Sequence, residues 1–242
     1  SNSKVGVGTP NYEYESMVRL WKRTRAVLNG ELYAKEHDRY LDLVNYTNLL
    51  VPFSPRMTPE QYRWFVAESE LPGLVSQYTK ILAGGLLRKP PEITLPDAIP
   101  NEAEQWLRDR FTDDGRSLIS FLDSLVWEEL STSRAVVSVD FPDVDNYGAL
   151  SLEQREKLTP YPVLWRAEDV INWQTTRDLE TGKPCLGRVV FRYIDQRFAE
   201  DNPWHPSLKV VAVDHYLDEL GEYCVDHYIK EGDTTVDLIN GN

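Results

Sequence analysis

The chain has 242 residues, 41% of them hydrophobic and 27% charged, so it can bury the core of one large domain or two small ones without a disulfide or a metal. No apolar run approaches the roughly 18–20 residues of a membrane-spanning helix, and we expect no membrane partner. The formal net charge of −13 is uneven, because residues 1–90 carry a net +3 and residues 91–242 a net −16. Affinity for nucleic acid rests on basic surface, so the acidic second half argues against a protein that wraps DNA.

The first helical pattern covers residues 11–29. Its apolar residues recur at spacings of three and four, and Gly30 is well placed to end the helix. We assign Arg19, Arg23 and Arg25 to its other face, which is basic. Two interpretations stay open for this basic cluster: a solvated helix surface, or a contact with another subunit or with phosphate.

Further helical patterns follow as far as residue 131. Thr58, Pro59 and Gln61 together are typical of a helix start, and Pro72 predicts a break because proline lacks the amide hydrogen that a helix interior needs. The predicted helices cover residues 58–70, 73–86, 101–111 and 116–131. The second of these has a broad apolar face, and we expect the last to be the most buried helix of the chain.

Strand patterns dominate from residue 134 onward. Strands are predicted at residues 134–141, 162–166, 171–176, 186–195, 208–217, 222–230 and 234–239. Turns are predicted at residues 178–183, at the proline-rich stretch 199–207 and at 218–221, and a short helix at 151–158. The order predicts an α+β fold in which a helical N-terminal half packs with a mainly antiparallel β C-terminal half.

The residues able to carry chemistry form no recognisable motif. His215 and His227 lie on neighbouring predicted strands, but a metal site needs three or four ligands on one side, so we predict a cross-strand pair and no metal. Cys185 and Cys224 could form a disulfide, although free thiols are our expectation. Phosphate-binding loops and nucleophile motifs are missing from the sequence, and we predict no catalytic residues and no cofactor.

Tryptophan and carboxylate residues leave one enzymatic alternative open. A glycan hydrolase needs two Asp or Glu residues across a cleft, and sequence spacing cannot show such a pair. Most of the seven Trp residues lie on apolar faces and are expected in the core. Trp204 differs, because Pro203 and Pro206 bracket it in a predicted loop. It contacts a neighbouring subunit in one interpretation and is covered by its own loop in the other.

Several segments share their order and spacing with one known family. The closest are Gly85-Leu-Leu-Arg-Lys-Pro-Pro91, Asp114-Gly-Arg-Ser-Leu-Ile-Ser-Phe121, Val139-Asp-Phe-Pro142 and Glu168-Asp-Val-Ile-Asn-Trp173. Together they resemble the portal proteins of tailed bacteriophages, and in particular a family of phage portal-like proteins catalogued as a domain of unknown function. The chain departs from that family at Leu87, where an aromatic residue is usual, and at Ser133 and Ala135, near a usual Gly-Arg-x-Gly.

The resemblance implies the N-terminal, wing-forming part of a portal subunit. Residues 1–242 would form one wing-like region, mainly helical over 10–131 and mainly β over 132–242, with the stem, clip and crown outside this chain. A portal subunit is a structural protein and not an enzyme. The resemblance further implies a ring, usually of about twelve copies, at one capsid vertex, which forms the channel for DNA packaging and ejection.

The same resemblance implies the partners. They would be other portal subunits, the major capsid protein, the terminase, a tail connector or adaptor protein, and double-stranded DNA that passes through without sequence recognition. The protein would be assembled in the host cytoplasm and reside in the virion. Candidate subunit contacts are Arg19, Arg23, Arg25 and Trp204. Two alternatives come from other classes, a soluble interaction or adaptor module and a glycan hydrolase.

Overall fold

The fold is described by a computed structural model over residues 6–36, 50, 54–92, 94, 96, 101–141, 159–178, 181–199 and 202–229. The helices within these residues are α1 (Tyr12–Asn29), α2 (Glu31–Glu36), α3 (Pro59–Glu68), α4 (Leu74–Leu86), α5 (Asn101–Asp109) and α6 (Leu118–Thr132). The strands are β1 (Val136–Asp140), β2 (Tyr161–Trp165), β3 (Val170–Arg177), β4 (Pro184–Ala199), β5 (Asn202–Leu217) and β6 (Tyr223–Ile229). Helices lead and antiparallel strands follow, so the predicted α+β fold is confirmed. None of the described helices is long and apolar enough to cross a membrane.

Local sequence signals explain where the helices begin and end. The side chain of Thr58 accepts a hydrogen bond from the Gln61 amide, and the Gln61 side chain accepts one from the Thr58 amide, as the capping signature predicts. Asn11 caps α1 in a similar way, and Gly30 ends that helix with a φ of 97°, a conformation that favours glycine. The predicted break near Pro72 is confirmed between α3 and α4.

The chain divides into two compact units, which we call the first and second unit. The first unit combines Ser1–Ser76 with Ala167–Asn242, and the second is Gln77–Arg166. Each contains both helices and strands, so the units do not follow a division between helical and β halves.

The first unit is built on a four-stranded antiparallel sheet in the order β3-β4-β5-β6. Helix α1 packs on this sheet through residues that recur at helical spacing. The resulting core cluster contains Tyr14, Val18, Trp21, Ala167, Ile171, Val190 and Ala212. Phe191 and Val213 are also buried, although strand alternation directs them to the other face from Val190 and Ala212. The middle of the sheet is therefore buried on both faces.

The second unit contains most of α4, the helices α5 and α6 and the two-stranded ribbon β1–β2. The indole N–H of Trp165 donates to the Ser138 hydroxyl across the ribbon at 2.8 Å. Helices α5 and α6 are joined by a turn at Gly115, whose φ is 77°. The Phe111 ring beside this turn meets the Phe121 ring edge-on, with centroids 5.3 Å apart.

The predicted turn at 199–207 is wrong. Strand β4 continues to Ala199 and β5 already begins at Asn202, so the two strands form one long hairpin. The ladder is irregular there, because Arg197 pairs with Ser207 and Ala199 with Asn202, which leaves residues 203–206 without a register partner. A strand tolerates proline at such an irregularity because no ladder amide is required.

Burial of the helices also differs from the prediction. Helix α6 is not the most buried helix, since only Phe121, Ser131 and Thr132 are buried along it. Helix α1 buries five residues, because one side of it lies on the sheet. The short helix α2 was not predicted as a separate element. The helix predicted at 151–158 and the strand predicted at 234–239 lie outside the described residues.

Candidate functional site

Helix α1 is held on the sheet by a polar clamp at Glu168. Arg25 contacts the Glu168 carboxylate through two nitrogens, with Nε to Oε1 at 2.5 Å and Nη2 to Oε2 at 2.8 Å. Both side chains are mostly buried, with 15% and 13% of their surface exposed. The Tyr14 hydroxyl donates to the Glu168 carbonyl at 2.9 Å and accepts from Arg192 at 3.1 Å. We call this set the α1 clamp.

The α1 clamp gives a structural role to Glu168-Asp-Val-Ile-Asn-Trp173, one of the segments that resemble the portal-like family. Glu168 binds Arg25, the Ile171 carbonyl accepts from the Asn11 amide at 3.0 Å, and the Ile171 side chain is fully buried. Trp173 packs against the same core cluster. This segment therefore fixes the start and the middle of α1, and none of these contacts requires a ligand.

The four candidate contact residues lie in different surroundings. Arg19 is exposed on α1 and Arg23 is half-buried on the same side of that helix, four residues on. Arg25 does not lie on this basic face, because the spacing of Tyr14, Val18, Trp21 and Arg25 places it on the stripe that faces the sheet. The backbone of Trp204 lies in β5 and not in a loop, and its side chain is outside the described part.

Helix α4 presents its large apolar side chains to solvent. Four of them lie within the second unit and are each more than half exposed: Tyr78 at 65%, Ile81 at 67%, Leu82 at 58% and Leu86 at 65%. Their spacing of three, four and eight residues places them on one side of the helix. The buried side carries only Thr79 and Ala83, at 8% and 5% exposure. We call the four exposed residues the α4 apolar face.

The orientation of α4 is the reverse of that of an amphipathic helix in a monomer, whose large apolar residues face the core. Contiguous apolar patches beyond a few hundred Å² are rare on monomeric proteins and mark interaction sites. Burying a large apolar side chain stabilises by roughly 1.5–3 kcal/mol, so a partner that covers this face gains substantially. The exposed side of α4 is therefore a candidate docking surface.

A second exposed surface lies on α6. Ile119 and Leu130 are 41% and 37% exposed, and Asp123 and Glu129 are exposed beside them. Ile119, Asp123 and Leu130 are four and seven residues apart and so share one side of the helix, with Glu129 at its margin. We call these four residues the α6 acidic face. It combines apolar contact area with negative charge.

The first unit also contains a polar groove of about 680 Å³ at one end of its sheet. Residues 174–178, 187–188 and 216–221 line it. The Arg188 side chain, 40% exposed, pairs with the Asp214 carboxylate, of which 1% is exposed, and its Nε lies 2.9 Å from Oδ1. The guanidinium carbon lies 5.8 Å from the centre of the Tyr216 ring. Hydrogen bonding to Asp214 raises the pKa of Arg188.

The groove is lined by the donors Arg188 and Tyr216 and by the carboxylates of Asp178, Asp218 and Glu219. The Tyr216 hydroxyl donates to Asp226 at 3.0 Å, and this bond to a carboxylate raises the pKa of Tyr216 to about 12. Asp178 and Asp218 accept backbone amides of their own turns. At neutral pH Tyr216 stays protonated and Arg188 stays charged, so both act as hydrogen-bond donors. The groove can bind a polar group but offers no matched acid and base among these residues.

The two strand histidines do not form a metal site in the described structure. His215 pairs with Val225 and His227 with Val213, so the histidines are diagonal and not opposite each other. His215 instead meets Phe191 edge-on and contacts the Tyr223 hydroxyl through Nδ1. Among the described residues, no group of three or more His, Cys, Asp or Glu could hold a metal ion. Cys185 and Cys224 are both free, as expected.

Comparison with known proteins adds no assignment, since no protein-family model matches the sequence and no curated protein matches it significantly.

Sequence reasoning missed two features, of which a stricter use of periodicity would have found only the first. The first is the position of Arg25, which continues the spacing of Tyr14, Val18 and Trp21. The second is the direction of α4, whose buried side carries the small residues Thr79 and Ala83. Small side chains let a helix approach its neighbour closely, so a helix with one small side and one large apolar side can pack in either direction.

Proposed function

We propose that this chain is the wing-forming part of a portal subunit of a tailed bacteriophage. It would act as a structural, non-enzymatic component of a ring at the capsid vertex, through which DNA is packaged and ejected. The ring would dock the capsid protein, the terminase and a tail connector, in the virion after assembly in the host cytoplasm. DNA would pass through without sequence recognition, and the net charge of −13 is compatible with a channel protein that does not grip DNA.

The observation that carries the proposal is the α4 apolar face. A subunit of a permanent assembly needs apolar surface that only a partner covers, and four large apolar side chains more than half exposed on one helix supply it. The helix leads directly into Gly85-Leu-Leu-Arg-Lys-Pro-Pro91, one of the segments that resemble the portal-like family. Several such segments occur in the same order as in the portal-like family. For this reason we propose a portal subunit and not simply some other self-assembling protein.

The same face supports one alternative, a soluble adaptor that binds a different protein through α4. The two functions differ in the partner, because a portal subunit binds copies of itself and an adaptor does not. Among the described residues the hydrolase alternative has little support, because two of the three acidic residues that line the groove, Asp178 and Asp218, are engaged in turns and only Glu219 remains.

The mass of the particle in solution tests the proposal. Native mass spectrometry or light scattering would be applied to this chain and to the full-length subunit from which it comes. We expect the full-length subunit to form a closed ring of about twelve copies. A full-length subunit that stays monomeric at every concentration would overturn the portal proposal and favour the adaptor.

A further inference from the structure

We infer that the α4 apolar face of one copy packs against the α6 acidic face of a second copy. This inference rests on the proposed function and specifies the contact that would join neighbouring subunits. Both surfaces belong to the second unit and both are exposed in the single chain. Under the proposed function, the occupant of the α4 apolar face is a second copy of this chain, in a head-to-tail arrangement.

The apolar parts of the two surfaces complement each other in size. The α4 apolar face offers four large side chains, whereas the α6 acidic face offers Ile119 and Leu130 with smaller exposed fractions. Two helices pack by placing the side chains of one between those of the other, so a prominent row and a shallower row can interdigitate. Two α4 faces in contact would instead bring two prominent rows together.

Charge supplies the direction of the contact. Arg88 and Lys89 are exposed immediately after the C-terminal end of α4, and Asp123 and Glu129 are exposed on α6. Opposite charges at the margin of an apolar contact fix which surfaces meet and in which register. The wider sequence has the same charge difference, because α4 lies in residues 1–90, which carry net positive charge, and α6 lies in residues 91–242, which carry net negative charge. Charge complementarity therefore favours α4 against α6 over α4 against α4.

A contact between two different surfaces of identical chains is heterologous. Each copy then still has one free surface of each kind, so further copies can add. Such contacts generate closed rings when the rotation between neighbours closes, and open chains when it does not. The inferred contact is thus of the geometric type that a ring requires, whereas an α4–α4 contact would end at a dimer.

Mixed cysteine variants of this chain test the contact. Leu82→Cys places a thiol on the α4 apolar face and Leu130→Cys places one on the α6 acidic face, each in a background with Cys185→Ser and Cys224→Ser. We expect a disulfide-linked dimer under oxidising conditions when the two variants are mixed, with little dimer from either alone. Dimers from Leu82→Cys alone, at a yield equal to the mixture, would overturn the inference in favour of an α4–α4 contact. No dimer in any sample would overturn it as well.

Charge reversal provides a second test. Arg88→Glu with Lys89→Glu in the Leu82→Cys chain should lower the mixed-dimer yield about fivefold, since exposed ion pairs contribute up to about 1 kcal/mol each. Asp123→Lys with Glu129→Lys in the partner should restore the yield. Lys80→Glu, which changes an exposed charge on the other side of α4, is the matched control. Failure of the inferred contact leaves the portal proposal standing if the full-length subunit still forms a ring.

Discussion

Gly187 shows how one residue fixes the register of a sheet. A Cβ atom at this position would lie 2.6 Å from Cγ2 and 2.8 Å from Cβ of Thr176 on the neighbouring strand. The close approach occurs at a register shift, because Gln174 pairs with Arg188 and Thr175 with Leu186, which leaves Gly187 as the extra residue of a bulge in β4. Both strands also line the polar groove, so this glycine shapes its floor.

Gly187→Ala should therefore destabilise the first unit. The added methyl group must displace Thr176 or the backbone, and overpacking of this kind costs about 1–3 kcal/mol. Chemical denaturation followed by circular dichroism measures the loss. Gly84→Ala is the matched control, because nothing lies within 4 Å of its Cβ position and alanine favours a helix. Equal stability of the Gly187→Ala variant and the parent would contradict the close approach.

Asp114 stabilises the turn between α5 and α6 in a pH-dependent way. The Thr112 hydroxyl donates to its carboxylate, and Arg116 binds it at 2.8 Å. The hydrogen bond from Thr112, and after it that from Arg116, lower the pKa of Asp114 below its usual value. A carboxylate with a lowered folded pKa contributes stability above its unfolded pKa of about 4, and this contribution disappears as the pH falls through the folded pKa.

Asp114→Asn should therefore lower the stability at pH 7 by less than about 1 kcal/mol, a small loss because the side chain is 60% exposed and water screens the pairing. The difference from the parent should shrink as the pH falls below about 4. Denaturation curves from pH 7 to pH 2.5 measure it, with the exposed neighbour Asp113→Asn as the control. A difference that stays constant down to pH 2.5 would contradict the assigned role of the carboxylate.

At the scale of the element, α1 shows that one basic helix can have two kinds of arginine. Arg25 is mostly buried in the α1 clamp, whereas Arg19 is exposed on the other side. Arg25→Met should cost roughly 1.5–3 kcal/mol, since hydrogen bonds between charged groups in a partly buried site lie in that range. Arg19→Met should leave stability within about 0.5 kcal/mol of the parent.

Hydrogen exchange on α1 distinguishes these two roles. Loss of the α1 clamp should speed exchange along α1 in Arg25→Met and not in Arg19→Met. If both variants exchange like the parent, the clamp does not hold the helix. The comparison also bears on assembly, because a defect of an Arg25 variant in ring formation could follow from the loosened helix, whereas a defect of an Arg19 variant would report the surface itself.

The elements also show what the sequence alone can establish. The start of α3 was predictable because Thr58, Pro59 and Gln61 form a local capping pattern that depends on no other part of the chain. The end of β4 was not, because residues 199–207 have the composition of a turn and strand pairing over a long hairpin overrides it. Tertiary pairing decides such cases, and proline content does not.

The candidate surfaces were predictable only in part. The apolar residues of α4 were recognised from their spacing, but spacing identifies a face and not what covers it. Whether the large apolar side of a helix faces the core depends on how well its other side packs against the rest of the protein. In α4 the buried residues are Thr79 and Ala83. Likewise, Glu168 and Arg25 form their contact although they are 143 residues apart in the sequence. No local pattern could predict a pairing over that distance.

At the scale of the whole molecule, the two units each have their own packed side chains. The first unit has the cluster of α1 on its sheet, and the second has Phe121 against Phe111. The first unit is assembled from both ends of the chain, so its stability depends on residues far apart in sequence. The second is continuous in sequence and carries both the α4 apolar face and the α6 acidic face.

Calorimetry should show two unfolding transitions, one for each unit. A unit with its own packed core unfolds cooperatively, and each of the two units has such a core. Gly187→Ala should lower the first unit's transition, and Phe121→Leu, which loses an edge-on ring contact, should lower only the second unit's. Each kcal/mol corresponds to about 2–4 °C for the first unit, which has 152 residues, and to about 4–8 °C for the second, which has 90. One transition shifted by both substitutions would mean that the units unfold together. In that case a change on α4 would also affect the sheet, and the docking surfaces could not be altered independently of it.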